Sequence, residues 1–242
     1  MIEMYFQRIH ELLQTVVTAE RHFLELAAEK LATTIKQGGI IHLFGCGHSH
    51  LLAEELYYRA GGLAPIHPIL PDELMLHKGA LRSSRLERTY GYAQTFMKNE
   101  DIRKHDSIIV ISTSGRNPVP IDVALIAKEK GAYTIGMSST VYTGEQTSRH
   151  PSGEFLKDVV DLHIDNHVPM GDAILQHELV SVPFAPTSTV VGATILNSII
   201  GKVISNLAEE GLEPPIFLSG NIDGADGHNR NLVEKYNKRL QF

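Results

Sequence analysis

Two short apolar runs in this sequence each break into a glycine- and hydroxyl-rich loop and then into a helical pattern. In the first, Ile40-Ile41-His42-Leu43-Phe44 leads to Gly45-Cys46-Gly47-His48-Ser49, and helical spacing resumes from Leu51 to Ala60. In the second, Ser107-Ile108-Ile109-Val110-Ile111 leads to Ser112-Thr113-Ser114-Gly115-Arg116-Asn117, and a helix follows from Val119 to Lys130. Pro118 and Pro120 suit that helix's first turn, where a missing N–H costs little. Gly131 stops it, Ala132 to Met137 gives the next strand, and Val159 to Ile164 gives a further strand candidate. Continuous apolar strands alternating with helices predict a parallel sheet covered on both faces, an α/β fold.

The flanks read as helix. From Ile2 to about Gln37 the apolar residues Ile9, Leu13, Val16, Phe23, Ala27, Leu31 and Ile35 recur at helical spacing until Gly38-Gly39 ends the run. One long helix or two abutting ones would exceed the cover that a small sheet needs, so this segment is expected to pack across a subunit interface as well. Pro186-Thr187-Ser188-Thr189 opens a long apolar helix that ends near Gly211. Gly220 to Asn229 is rich in glycine and aspartate and leads into a short amphipathic helix, with His228 just ahead of it and Asn229 as its cap. The organisation expected is a helical segment over 1–37, a domain over 38–211, and a loop and helix over 212–242 that complete the same domain.

Composition removes several classes. The net charge of the 242 residues is -6 with no basic block, which disfavours a nucleic-acid partner. Cys46 is the only cysteine, so no intramolecular disulfide forms. Lys202 and Glu209 interrupt the apolar stretch around Val190 to Leu207, and the first residues lack a basic segment followed by an apolar run. A soluble cytoplasmic protein without a membrane segment is expected.

In open parallel sheets, ligands bind beyond the carboxyl ends of the strands. Both serine loops fall there, each feeding a helix N-terminus whose free N–H groups and dipole attract an anion. Ser49, Ser112, Thr113 and Ser114 add hydroxyl donors, while Gly45, Gly47 and Gly115 let the backbone approach closely. Serine and asparagine also cap helices, so either loop alone would be ordinary; the pair favours a phosphate. The first loop lacks the third glycine of a dinucleotide fingerprint, and no Gly-Lys-Ser/Thr exists for a triphosphate loop.

The segment Phe44 to Ser49, with Ala53 and Arg59 on the helix after it, resembles the first motif of the sugar isomerase (SIS) family. Ile111 to Asn117, followed by Ala124, Ala127-Lys128, Gly131-Ala132 and Thr134-Ile135, resembles the second, and Thr187-Ser188-Thr189 is similar to the third. The resemblance spans roughly residues 40–210 and is closest to stand-alone bacterial SIS proteins related to phosphoheptose isomerases and sugar-phosphate etherases. It implies a three-layer α-β-α, flavodoxin-like fold with a five-stranded parallel sheet, a homodimer or homotetramer, and a phosphorylated sugar as ligand without a cofactor. On the same ground the phosphate contacts would come from Gly47, His48, Ser49, Ser112, Thr113, Ser114, Gly115, Asn117, Thr187 and Ser188. Asn117 stands where many members have threonine.

Catalysis is harder to place. Moving a proton between adjacent carbons needs a base and an acid. The favoured groups are His228, Glu178 and Glu73, with Glu54 and Glu55 as further carboxylates. His228 could reach a neighbouring subunit's site from its glycine loop. The expected activity is aldose–ketose isomerisation, with a non-catalytic phosphosugar sensor or a lyase or etherase as alternatives. His42, Cys46, His48 and His50 crowd the first loop, but a strand and a tight turn give poor convergence, so no metal is assigned.

Overall fold

The structure, a computed structural model, describes residues 1–242. Helices α1 (Ile2–Ala19) and α2 (Arg21–Lys36) come first, so the N-terminal run is two helices. The break needs no glycine. Glu20, at φ -101 and ψ 0, turns its buried carboxylate to the N–H of Asp165 (3.1 Å) and to His167 Nε2 (3.1 Å). Strand β1 (Ile41–Gly45) and α3 (His50–Leu56) follow. Then come β2 (Ile66–Ile69), α4 (Ala80–Glu87), α5 (Gln94–Met97), β3 (Ser107–Ile111) and α6 (Pro118–Glu129). Next are β4 (Tyr133–Ser138), α7 (Val141–Glu145), α8 (Leu156–Val159) and β5 (Leu162–Asp165), then a hairpin of β6 (Leu175–His177) and β7 (Val180–Phe184). Helices α9 (Ser188–Glu209) and α10 (Ala225–Tyr236) complete the chain.

The five parallel strands lie in the order β2-β1-β3-β4-β5, the three-layer arrangement expected. Every residue of β1 and β3 is buried, because both faces are covered. Ile41, Leu43, Ile109 and Ile111 point to one core with α2, α3 and α9. Phe44, Ile108 and Val110 point to the other, under α6 and α8. Helix α9 is long and apolar enough to suit a membrane by composition, yet Val191, Ile195, Leu196, Ile199, Ile200, Val203 and Leu207 are buried in the first core.

The chain's end is tied to the amino-terminal edge of the sheet. Asp106, just before β3, is 2% exposed and accepts Arg239 Nη1 (2.9 Å) and Nη2 (2.6 Å). It also takes the N–H groups of Ile40 and Arg103 (both 2.8 Å) and meets His42 Nε2 at 3.2 Å. Burial alone would raise the carboxyl's pKa; bonds from Arg239, His42 and the two amides outweigh it and hold the group well below the usual range. Such a depressed carboxylate stabilises the fold above its unfolded pKa and loses that contribution as pH falls. Arg239→Ala is expected to cost about 3–5 kcal/mol in urea unfolding at pH 7, because it strands a buried charge. That cost should narrow below about pH 5, as Asp106 takes up a proton in the variant; a constant difference would contradict this reading.

Candidate functional site

Strand order reverses between β1 and β3, which lie side by side in register from Ile41↔Ser107 to Gly45↔Ile111. Their carboxyl ends therefore deliver the two loops to one place. Each loop turns tightly for a local reason. A Cβ on Gly45 would lie 2.6 Å from the Ser49 carbonyl, so only glycine fits under that turn. Gly115 closes a turn from its N–H to Ser112 O (2.9 Å) at φ +59, and a Cβ there would crowd Ser138 Oγ at 3.0 Å.

These turns leave donors free. The hydroxyls of Ser49, Ser112, Thr113 and Ser114 make no hydrogen bond within the chain, and neither do the N–H groups of Gly47, His48, Thr113, Ser114, Arg116 and Asn117. Ser112 is buried, Ser49, Thr113 and Ser114 are half-buried, and His48 is exposed. Gly47 takes φ +58 within the first turn. The two loops thus present neutral donors from two directions, an arrangement suited to a tetrahedral anion.

Other expected contacts are already spent. Thr187 and Ser188 donate both N–H groups and both hydroxyls to Asp172, at 2.6–3.1 Å. The third hydroxyl segment is therefore capped by the protein's own carboxylate. Asn117 is buried, its Nδ2 donating to Glu87 Oε1 (2.8 Å) and its Oδ1 accepting from Arg149 Nη1 (2.8 Å). Its side chain bridges Glu87 and Arg149. Cys46 is buried, and burial and the Glu87 charge push its thiol well above the usual value, leaving a filler under the loop.

None of the three favoured acid–base residues is bonded to the loops within one chain. Glu73 lies at the correct edge, in the turn after β2, but is exposed and paired with Arg82 at 2.8 Å. Glu178 occupies the exposed tip of the β6–β7 hairpin. His228 lies within α10 rather than ahead of it, because Gly224 (φ 86) starts the helix earlier than expected. Its Nε2 meets Ile216 O at 2.8 Å, at the amino-terminal edge where Leu63 bridges to Ile216 ahead of β2. A hollow of about 440 Å³ lined by Tyr58, Phe217, Asp226 and Arg230 lies at that same far edge. His50 is likewise bonded to the Gly47 carbonyl, and His42 meets Asp106 through Nε2 while its Nδ1 is buried without a partner.

The carboxylate that does reach the loops is Glu87, at the end of α4, which sequence alone did not single out. It is half-buried, and desolvation raises its pKa against the opposing pull of Asn117, Arg88 and Arg149. Its charge also acts on Cys46, under the first loop. The surrounding Arg85-Leu86-Glu87-Arg88 reads as a solvated helix face, so no local signal marks it.

Comparison with known proteins agrees with this fold. Residues 4–139 match the SIS domain. A UPF0309 protein of Halalkalibacterium halodurans is 60% identical over 240 residues, covering 99% of this chain and 96% of that protein. A phosphoheptose isomerase from Francisella tularensis shares the fold at a TM-score of 0.55 and 16% identity, covering 84% of this chain and 95% of that one. The NanR protein of Vibrio vulnificus, solved with ManNAc-6P, superposes at a TM-score of 0.50 and 14% identity, covering 99% of this chain and 70% of that one.

A carboxyl whose pKa is raised on folding stabilises the native state at low pH and loses that contribution as pH rises through the raised value. Glu87→Gln keeps an acceptor for Asn117 and removes the charge. Its melting temperature relative to wild type is expected to rise from pH 5 to pH 9; a pH-independent difference would contradict a desolvated Glu87.

Proposed function

The chain belongs to the SIS domain family, and we propose on that premise that it binds a sugar phosphate between the loops that follow β1 and β3. One observation carries this reading. The hydroxyls of Ser49, Ser112, Thr113 and Ser114 have no partner in the chain, whereas those of Thr187 and Ser188 at α9 are bonded to Asp172. With the phosphate held there, the sugar carbons extend outward from the sheet edge toward Glu87. We assign Glu87 the proton transfer of an aldose–ketose isomerisation: its carboxylate takes the proton from the carbon next to the carbonyl and returns it to the neighbouring carbon. A raised pKa suits a group that must both accept and release a proton near neutrality.

A sensor that binds without turnover is the second reading. It is favoured by the solitude of Glu87, since isomerisation also calls for an acid at the carbonyl oxygen. A second copy would supply one if it brought His228 or Glu178 to the loops. We propose that such an assembly forms, because Ile2 (78% exposed), Phe6 (71%) on α1 and Leu179 (84%) on the hairpin present apolar surface to solvent. Light scattering is expected to give a multiple of 26.8 kDa; a monomer at micromolar concentration would refute it.

Phosphosugars across the five- to seven-carbon series are expected to raise the melting temperature, and the matching free sugars to leave it unchanged. Ser112→Ala with Ser114→Ala should abolish the shift while preserving the unliganded melt, since each bond to a charged group contributes about 1.5–3 kcal/mol. Equal shifts from sugar and phosphosugar would sink the proposal. Where a substrate turns over, Glu87→Gln should lower kcat by about a hundredfold or more. Binding with no turnover of any phosphosugar would decide for the sensor.

A further inference from the structure

Beside the second loop the chain gathers guanidinium groups that its own carboxylates leave unmatched. Five arginines elsewhere are paired: Arg8 with Glu11, Arg59 with Glu55, Arg82 with Glu73, Arg103 with Asp101, and Arg239 with Asp101 and Asp106. Arg21, Arg85 and Arg230 stand without an ion pair. Arg88 at the end of α4, Arg116 inside the loop and Arg149 after α7 form no ion pair. Arg116 and Arg149 are joined by hydrogen bonds, while Arg88 makes none and acts on Glu87 and Arg149 through its charge. Arg116 donates Nη1 to Gln146 (2.7 Å), its carbonyl accepts the N–H of Arg149 (2.8 Å), and Arg149 reaches Asn117 and through it Glu87. The buried Nε of Arg116 has no acceptor at all.

The only carboxylate in this chain of bonds is Glu87, and burial opposes its charge. Burial and then the charges of Arg116 and Arg88 depress the pKa of Arg149, as expected for like charges held together. In a protein of net charge -6 this cationic cluster is local. Clustered like charges oppose folding, and an anion placed among them relieves that opposition. The phosphate held by the loops is already met by neutral donors, and one Arg149 nitrogen is held by the Asn117 side chain. Arg88 and Arg149 are exposed, so their guanidinium groups are accessible to a ligand.

We propose that Arg88, Arg116 and Arg149 bind a second anionic group of the ligand, so that the preferred ligand is a phosphosugar carrying a further phosphoryl or carboxylate group. This rests on the reading that the serine loops hold the first phosphate. Guanidinium forks bind either group bidentately, so the two sources must be separated by experiment.

Isothermal titration would compare fructose 6-phosphate with fructose 1,6-bisphosphate, and glucose 6-phosphate with 6-phosphogluconate. At least one doubly anionic ester is expected to bind about tenfold or more tightly than its singly anionic partner, and the pair showing it identifies the group. In Arg88→Gln with Arg149→Gln that ratio should fall to near one, while Arg88→Lys with Arg149→Lys should retain part of it. The unliganded melting temperature of each variant checks its fold. Equal affinities within both pairs in the wild type, with the monoesters binding, would overturn this inference and leave the phosphate site standing. A ratio that survives in the glutamine variant would overturn it as well. Binding of no ester would overturn the phosphate reading, and this inference with it.

Discussion

The pairing of β1 with β3 is the constraint on which the rest of the molecule depends. Parallel strands need a crossover of a dozen or more residues, and here the chain leaves β1 in one direction to form β2 and returns on the other side to form β3. The connection from β1 to β2 and that from β3 to β4 part at the carboxyl ends of β1 and β3, and that divergence opens the space above them. Ile41 to Gly45 and Ser107 to Ile111 are buried throughout, so their register is set by two cores at once. A slip by one residue would turn Leu43 and Ile109 into the opposite layer. The loops are therefore positioned by packing far from their own atoms.

What the loops then offer is set by which polar groups the fold consumes. Asp172 saturates Thr187 and Ser188, Glu20 caps the end of β5, and Asp106 gathers Arg239 and two amides at the opposite edge. Against that background of paired groups, the free hydroxyls and amides of the two loops stand apart. Ser112 is a buried residue whose hydroxyl stays accessible and has no partner in the chain, so it is free to meet a ligand. Glu87 is set apart from the other side: burial raises its pKa against the pull of Asn117, Arg88 and Arg149.

The sequence showed plainly whatever was local. The loops after β1 and β3 announced themselves because glycine and serine must sit there for steric reasons. Strand β2 did not, because Ile66-His67-Pro68-Ile69 is a short edge strand interrupted by proline, where one face of hydrogen bonding is not needed. The β6–β7 hairpin was hidden by its own brevity and by Pro183. Thr187 and Ser188 looked like a third phosphate contact, because nothing in the sequence ties Asp172 to them across fifteen residues. Glu87 was invisible for the converse reason: its burial arises from α4 lying against the second loop, a tertiary event with no periodic trace. His228 lies inside α10 because Gly224 accepts the left-handed geometry that starts the helix five residues ahead of Asn229.

The central claim is that the ligand's phosphate lies on the donors of the two loops, and amide chemical shifts report that contact directly. In a titration of the deuterated, 15N-labelled protein with a phosphosugar, the account expects the largest shifts at the amides of Gly47, His48, Thr113, Ser114, Arg116 and Asn117. The amides of Thr187 and Ser188, already bonded to Asp172, should move little. Shifts centred on Thr187 and Ser188, or on the hollow around Tyr58 and Asp226, with both loops silent, would contradict it.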